Sequence, residues 1–335
     1  MAKASVTSID VARLANVSQS AVSRTFTPGA SVSDDTRQRV LEAAKSLGYR
    51  PNALARSLIS GRSRIIGLVV AYLENHFYPI VIEQLSRALQ AHGYHVMLFM
   101  TQPGQQDQVI NEILQYKMDG VVLASVTLSS HIAEECANIG VPVVLFNRYI
   151  PDSHVSSVAS DNELGGRLVA ELLAKHNHQR IAYIAGNENS STNNDREQGF
   201  KEGLKGAGLS IWKRCVGMYS FDGARVAARE LLDAEEIPDA IFVANDHMAF
   251  AVMDVIRSEY GLNVPEDISV VGYDNVPEAD WPAYNLTTVE QTVDDMITET
   301  VNILLEQMEH KQVNEVHKVT DARLIIRGTV CKKRS

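Results

Sequence analysis

The chain has 335 residues, too many for one compact core of ordinary size, so two or three domains are expected. At 45% apolar and 21% charged it has an ordinary soluble composition, with no low-complexity tract and no apolar run long enough to span a membrane. The net charge of −10 argues against nucleic acid for the chain as a whole, but residues 1–64 carry ten Lys and Arg against four acids, a net +6. That leaves −16 for the remainder, and a basic head on an acidic body confines phosphate attraction to the head. Three cysteines, Cys136, Cys215 and Cys331, are odd in number and far apart. They suit a reducing compartment and argue against a disulfide scaffold or a zinc site. Met1-Ala-Lys-Ala-Ser leads straight into the first helix with no secretory signal, so a cytoplasmic protein is expected.

The first elements read as a small all-α unit. Thr7 N-caps a helix over 8–14, with Asp10 in the capping-box position. Asn16 tolerates the left-handed conformation that a tight turn needs. Ser18 then caps a second helix over 19–26. Two short helices joined by such a turn form the helix-turn-helix layout, in which the start of the second helix meets base edges in the major groove. The residues so placed are Gln19, Ser20, Ala21, Ser23 and Arg24, small or hydrogen-bonding side chains with one arginine suited to guanine. Ser33 caps a third helix that Gly48 ends. The expected core is Ile9, Val11, Leu14, Val17, Val22, Val40, Ala44 and Leu47. A generic three-helix bundle with no nucleic-acid role fits the same spacing. Pro51 and Asn52 open a further helix of only six or seven residues before Ser60-Gly61-Arg62-Ser63. So short a helix is marginal alone, because nucleation is costly.

From residue 65 short apolar runs alternate with amphipathic helices. Strands are expected at 65–72, 95–101, 120–124 and 143–146, then at 181–185, 214–218, 240–244 and 269–273. Helices fall between them at 78–92, 164–175, 196–207, 222–233 and 247–260. A helix over 292–308 and one strand over 316–326 finish the body. Regular β-α alternation means parallel sheets covered on both faces, and two such sets mean two Rossmann-like lobes.

In open α/β sheets ligands bind beyond the carboxyl ends of the strands. The residues there are Asn75, Phe77 and Tyr78 after the first strand, Ser125 after the third, and Asn147 and Arg148 after the fourth. Either aromatic of the Phe77–Tyr78 pair can instead pack inward. The second set offers the polar loop 187–195 leading to Arg196, then Tyr219, Asn245, Asp246 and Asp274, with Gln291 further on. Asp246 and Asp161 can equally cap the helices that follow them. Such a cleft of carboxylates, amides and two arginines suits a polyhydroxy ligand, and the arginines can take a carboxylate or phosphate. A sugar, sugar acid or sugar phosphate is expected. A purine rests on Tyr219 alone.

Motifs in the stretch Ile9-Asp-Val-Ala-Arg-Leu-Ala-Asn-Val-Ser-Gln-Ser-Ala-Val-Ser-Arg24 and in Gly48-Tyr-Arg-Pro-Asn-Ala-Leu-Ala-Arg-Ser-Leu58 resemble the headpiece of the lactose-repressor (LacI/GalR) family. The resemblance continues through Ile66-Gly-Leu-Val-Val70, Asp119-Gly-Val-Val-Leu123, Asn245-Asp246 and Val271-Gly-Tyr-Asp-Asn275. It implies a helix-turn-helix headpiece over 1–50 and a hinge helix and linker over 51–63. An effector-binding and dimerisation body, similar to periplasmic sugar-binding proteins, fills 64–335. Lobe one spans about 64–160 plus 292–335 and lobe two about 161–291, with crossings near Asp161, near 274–278 and near Gln291. The family's hinge helices pair over the minor groove, which places Asn52, Leu54, Ala55 and Arg56 there. Leu58 matches the wedge that kinks the duplex, although it can also be buried against the body. Arg196, Asn245, Asp246, Asp274 and Gln291 match family cleft positions. No leucine heptad tail follows the last strand, which favours a homodimer on a pseudo-palindromic operator.

Catalytic and nucleotide-binding motifs are missing: no Gly-x-Ser-x-Gly, no Gly-x4-Gly-Lys-Ser/Thr, no Gly-x-Gly-x-x-Gly and no His-Glu-x-x-His. His176 and His178 read as solvated residues rather than metal ligands. No cofactor and no metal are expected. The sequence therefore reads as a regulator, most simply a repressor, bound to the nucleoid and controlled by a small polar ligand. An activator or a purine-corepressed repressor is the alternative.

Overall fold

The computed structural model describes residues 6–27, 29–51, 62–71, 73–101, 112–113, 115–124, 136, 139–151, 153–310 and 315–333. The hinge residues Asn52, Leu54, Ala55, Arg56 and Leu58, and Ser125 of the body, lie outside them. The chain forms two units, Met1–Ser63 and Arg64–Ser335.

The first unit holds α1 (Ser8–Ala15), α2 (Gln19–Thr25) and α3 (Asp34–Leu47). Each start is capped by a side chain. Thr7 and Asp10 satisfy each other's backbone N–H groups, at 3.0 and 3.4 Å. Ser18 Oγ accepts from Ala21 N and Ser33 Oγ from Thr36 N. Asn16 turns the chain at φ 52° and Gly48 ends α3 at φ 66°. The core is Val11, Val22 and Val40 with Ala12, Ala15, Ala43 and Ala44, flanked by Val17, Phe26, Leu47 and Tyr49. Ile9 and Leu14, expected inside, are 52% and 55% exposed. Helix geometry is the reason. Val11, Ala12 and Ala15 define the buried face, and both residues sit roughly 100° or more around the helix from its centre.

In the second unit the strands are β1 (Ile65–Val70), β2 (His95–Met100), β3 (Gly120–Ala124), β4 (Val143–Phe146), β5 (Ser156–Ser160), β6 (Ile181–Ala185), β7 (Lys213–Val216), β8 (Ala240–Val243), β9 (Ser269–Asp274), β10 (Thr287–Gln291), β11 (His317–Thr320) and β12 (Ala322–Ile325). One sheet has the order β11-β5-β4-β3-β1-β2, all parallel. The other has the order β12-β10-β9-β8-β6-β7, parallel except for the antiparallel β10–β12 pair. Central strands such as Ile181–Ala185 are buried throughout, which is why they read as unbroken apolar runs. The helices are α4 (Phe77–Ala91), α5 (Asn162–Lys175), α6 (Ser191–Gly206), α7 (Phe221–Leu232), α8 (Asp246–Asp254) and α9 (Val293–His310). A π-helical turn, Val255–Glu259, replaces the last turn expected of α8.

The crossings between lobes differ from expectation at one of three places. The chain crosses after β5 and after β10, and α9 returns to pack on α4, β4 and β5. Residues 274–278 make no crossing, because β9 and β10 are neighbours in one sheet. The single strand expected over 316–326 breaks at Asp321. Its first half pairs with β5 and its second with β10, so residues 322–325 belong to the second lobe rather than the first. The Asp321 carbonyl accepts from Ser160 and Thr292 side chains, where the crossing segments meet. Apolar alternation alone does not specify which sheet a strand joins.

Two strands had no apolar signal. Ser156–Ser160 and Thr287–Gln291 are buried although rich in hydroxyls. Folding supplies their partners: Ser156 Oγ accepts from Gln307 and from Val316 N, and Thr288 donates to Asp246 at 2.6 Å.

Candidate functional site

The carboxyl ends of both sheets converge on one polar pocket. The first lobe contributes Asn75 and Tyr78 after β1, and Asn147 and Arg148 after β4. The second contributes Thr192 and Arg196 from α6, Tyr219 after β7, Asn245 after β8 and Asp274 at the end of β9. The free space among them is about 20 Å³, room for about one water. Asn147, Tyr219 and Asp274 have φ values of 61°, 57° and 118°. Such backbone is uncommon for residues with a Cβ, and for a bulky tyrosine it marks a site held by its surroundings. Gly186 makes room for Tyr219, since a Cβ there would collide with the phenol ring.

The second-lobe half is densely bonded. Arg196 is fully enclosed and donates from Nε to Asn162 Oδ1 at 2.8 Å, and from Nη1 to the Ala244 carbonyl at 2.6 Å. Its Nη2 lies 3.5 Å from Asp274 Oδ1, and its guanidinium stacks 3.6 Å from the Tyr273 ring. Gln291 Nε2 donates to the same Asp274 oxygen at 2.7 Å. Burial raises the Asp274 pKa to about 6, with Arg196, Gln291 and Asn75 holding it down. Burial also works against the charge on Arg196, but Asp274 outweighs it and the pKa is raised. Two glycines bring α5 and α6 close enough for Asn162 to reach Arg196. A Cβ on Gly199 would enter the Glu163 main chain, and one on Gly166 that of Arg196. Asn193 anchors the start of α6 by accepting from Tyr183 and Gly186 N.

The first-lobe half is bonded sparsely. Asn75 Oδ1 accepts from Phe77 N. Asn147 Oδ1 is buried without a hydrogen-bond partner among the described residues. Arg148 is 7% exposed and, among the described residues, has no carboxylate within ion-pair distance. Next to it, Tyr149 bridges the lobes: its N–H donates to Ser191 Oγ at 3.1 Å and its hydroxyl to Asp195 at 2.9 Å.

Of the residues expected here, Asn75, Tyr78, Arg148, Arg196, Tyr219, Asn245 and Asp274 line the pocket. Phe77 does not. It is in the core, edge-on to Tyr78, because the start of α4 turns one ring in and the other toward the cleft. Asp246 does not line it either. It braces α8 against the second sheet, accepting from Thr288 Oγ1 and Val276 N, and burial raises its pKa well above normal. The cap of α8 is Asn245, whose Oδ1 accepts from Met248 N. Asp161 caps α5 through Leu164 N. Gln291 stands behind Asp274 and lines a neighbouring, more open cavity of about 510 Å³. Asn147, expected after the fourth strand, lines the pocket beside Arg148, whereas Thr192 was hidden in the polar loop. His178, read as solvated, is buried against Asp239 at 3.1 Å. Histidine next to a strand start carries no sign of its burial in the sequence.

On the headpiece, Gln19, Ser20, Ser23 and Arg24 are exposed along α2, and Ala21 is half-buried. Gln19 Nε2 donates to Ser8 Oγ across the turn. Arg24 Nε donates to the Ser20 carbonyl at 3.5 Å, and Arg24 has no ion-pair partner among the described residues. Among the described residues no group of His, Cys, Asp and Glu is placed to hold a metal, and no helix is long and apolar enough to cross a membrane.

Residues 8–52 match the model of bacterial regulatory proteins of the lacI family, and residues 170–330 that of a periplasmic binding protein-like domain. The HTH-type transcriptional regulator CelR of Thermobifida fusca is 33% identical over 329 residues, 95% of this chain and 96% of that one. The crystal structure of the lac repressor dimer bound to operator and the anti-inducer ONPF matches with a TM-score of 0.88 at 27% identity, covering 98% of this chain and 99% of that chain. A CelR–cellobiose complex matches with a TM-score of 0.73 at 32% identity, covering 97% and 99%. With a capped helix-turn-helix headpiece and a two-lobed body closing on a polar pocket, the chain belongs to the LacI family of bacterial regulatory proteins and is a DNA-binding transcriptional regulator, not an enzyme.

Proposed function

We propose that this protein is a repressor whose affinity for its operator is set by a small polar ligand, a sugar, sugar acid or sugar phosphate, held between the two lobes. The observation that carries this is the pocket itself: hydrogen-bonding strand ends of both lobes face one space, so a ligand there touches both at once. The CelR relative binds a sugar, cellobiose. In its closed form the pocket holds little more than a water, so a ligand enters only when the lobes part and the Tyr149 bonds to Ser191 and Asp195 open. The ligand then acts through its differential affinity for two lobe arrangements.

A homodimer places two copies of α2 in successive major grooves of a pseudo-palindromic site, with Gln19, Ser20, Ala21, Ser23 and Arg24 toward the bases. The hinge residues Asn52, Leu54, Ala55, Arg56 and Leu58 take the minor groove between them. Such a protein works in the cytoplasm, on nucleoid DNA. Tyr219 and Tyr78, both lining the pocket, favour a second reading, a purine as corepressor.

The test is operator selection from random DNA with the full chain, then binding to the selected site with and without sugars, sugar derivatives and purines. A ligand that changes operator affinity several-fold supports the proposal; a ligand bound without such a change refutes it. Arg24→Ala is expected to cost about 1–3 kcal/mol on the selected site and little on scrambled DNA. Equal losses on both would place Arg24 on phosphates instead.

A further inference from the structure

The charges of the pocket do not balance. Arg196 has Asp274. Arg148, on the facing lobe, is nearly as enclosed and, among the described residues, has no carboxylate within ion-pair distance. The nearby Asp195 is hydrogen-bonded to Tyr149 and does not line the pocket, and Asp246 is walled off behind Gly272 and Thr288. A guanidinium held out of water without a counter-charge is costly, and the cost grows as the cleft closes and dries. Closure around a neutral molecule leaves that penalty in place. Closure around an anion removes it and adds charge-assisted hydrogen bonds.

Two amides define the rest of the ligand. Asn245 spends its Oδ1 on the α8 cap, and its buried Nδ2 has no partner among the described residues. Asn147 faces the same pocket with a buried Oδ1 that has no partner among the described residues. One open donor and one open acceptor suit hydroxyl groups, which do both.

Resting on the reading of this pocket as the effector site, we propose that the effector is a polyhydroxy compound carrying an anionic group, a carboxylate or a phosphate, and that Arg148 is the residue that holds it. Arg196 is the positioning element of the opposite wall, with its charge already spent on Asp274.

The test is ligand binding by the full chain at constant ionic strength, read by melting temperature and calorimetry. The probes are inorganic phosphate, acetate, glucose, gluconate and glucose 6-phosphate, against the wild type, Arg148→Gln and Arg148→Lys. The expected result is a rise in melting temperature with one or more of the anionic probes and none with glucose. Arg148→Gln should weaken that probe at least about tenfold, and Arg148→Lys should retain part of the affinity. Preference for gluconate and acetate assigns a carboxylate; preference for glucose 6-phosphate and inorganic phosphate assigns a phosphate. The proposal is overturned if no anionic probe binds, or if glucose binds as well as the anions do. It is equally overturned if anion binding survives Arg148→Gln, which would place the anion on another basic group. If anion binding depends on Arg148 yet leaves operator affinity unchanged, the charge assignment stands and the regulatory reading of the pocket fails.

Discussion

On the second-lobe side of the cleft Arg196 donates to an amide, a carbonyl and a carboxylate, whereas on the first-lobe side Arg148 has no carboxylate to meet among the described residues. Both arginines are buried, yet the charge of Arg196 is met before any ligand arrives and that of Arg148, among the described residues, is not. The second wall contributes to folding and fixes a geometry. The first wall carries unmet hydrogen-bonding capacity, which destabilises the closed lobes until something supplies the missing partner. Binding residues that are poor for stability are the usual price of function.

The largest way to break this contrast is Arg196→Ala. It leaves Asp274 buried without its cation and the Ala244 carbonyl without its donor. A loss of about 3–5 kcal/mol in unfolding free energy is expected at pH 7 by chemical denaturation. A loss as small as that of Arg148→Gln would mean the two walls are equivalent. The loss should shrink near pH 5, where a carboxyl with a raised pKa is protonated and needs no counter-charge.

Acid tests the same wall without a cavity. The Asp274 pKa of about 6 in the folded chain lies above its ordinary 3.8, so the folded state keeps this proton longer than the unfolded one. The stability gained is complete below about pH 4 and lost as pH rises through about 6. Relative to Asp274→Asn, the wild type should therefore lose on the order of 2–3 kcal/mol between pH 4 and 7. A flat difference would show that Arg196 compensates the buried charge fully.

Tyr149→Phe gives a smaller effect. It removes the hydroxyl bond to Asp195 while keeping the ring and the N–H bond to Ser191, so about 1 kcal/mol of lobe closure is at stake. Small-angle scattering of the unliganded body should detect a shift toward more open lobes. An unchanged profile would assign closure to other contacts.

Much of the second wall was legible from the residues. Strand ends in a β-α alternation announce where a ligand sits, and Arg196, Asn245 and Asp274 are there. What failed to show was direction. Asn245 and Asp246 are adjacent, but one caps α8 at the pocket edge and the other turns into the sheet toward Thr288. Phe77 and Tyr78 divide in the same way between core and cleft. Neighbouring residues at a helix start point along different radii, and only the packed partner decides which radius is inside.

The headpiece elements, their caps and the parallel lobes are legible along the chain, because helix caps and buried parallel strands are local signals written in a few adjacent residues. Tertiary structure alone decided the parting of residues 317–325 between two sheets and the burial of the serine- and threonine-rich strands. It also decided the exposure of Ile9 and Leu14 and the imbalance between Arg196 and Arg148. Each of these depends on a partner distant in the chain, such as Asp274 for Arg196 or Asp246 for Thr288. A charge or hydroxyl reveals its role only when the group that satisfies it, or fails to, is in place.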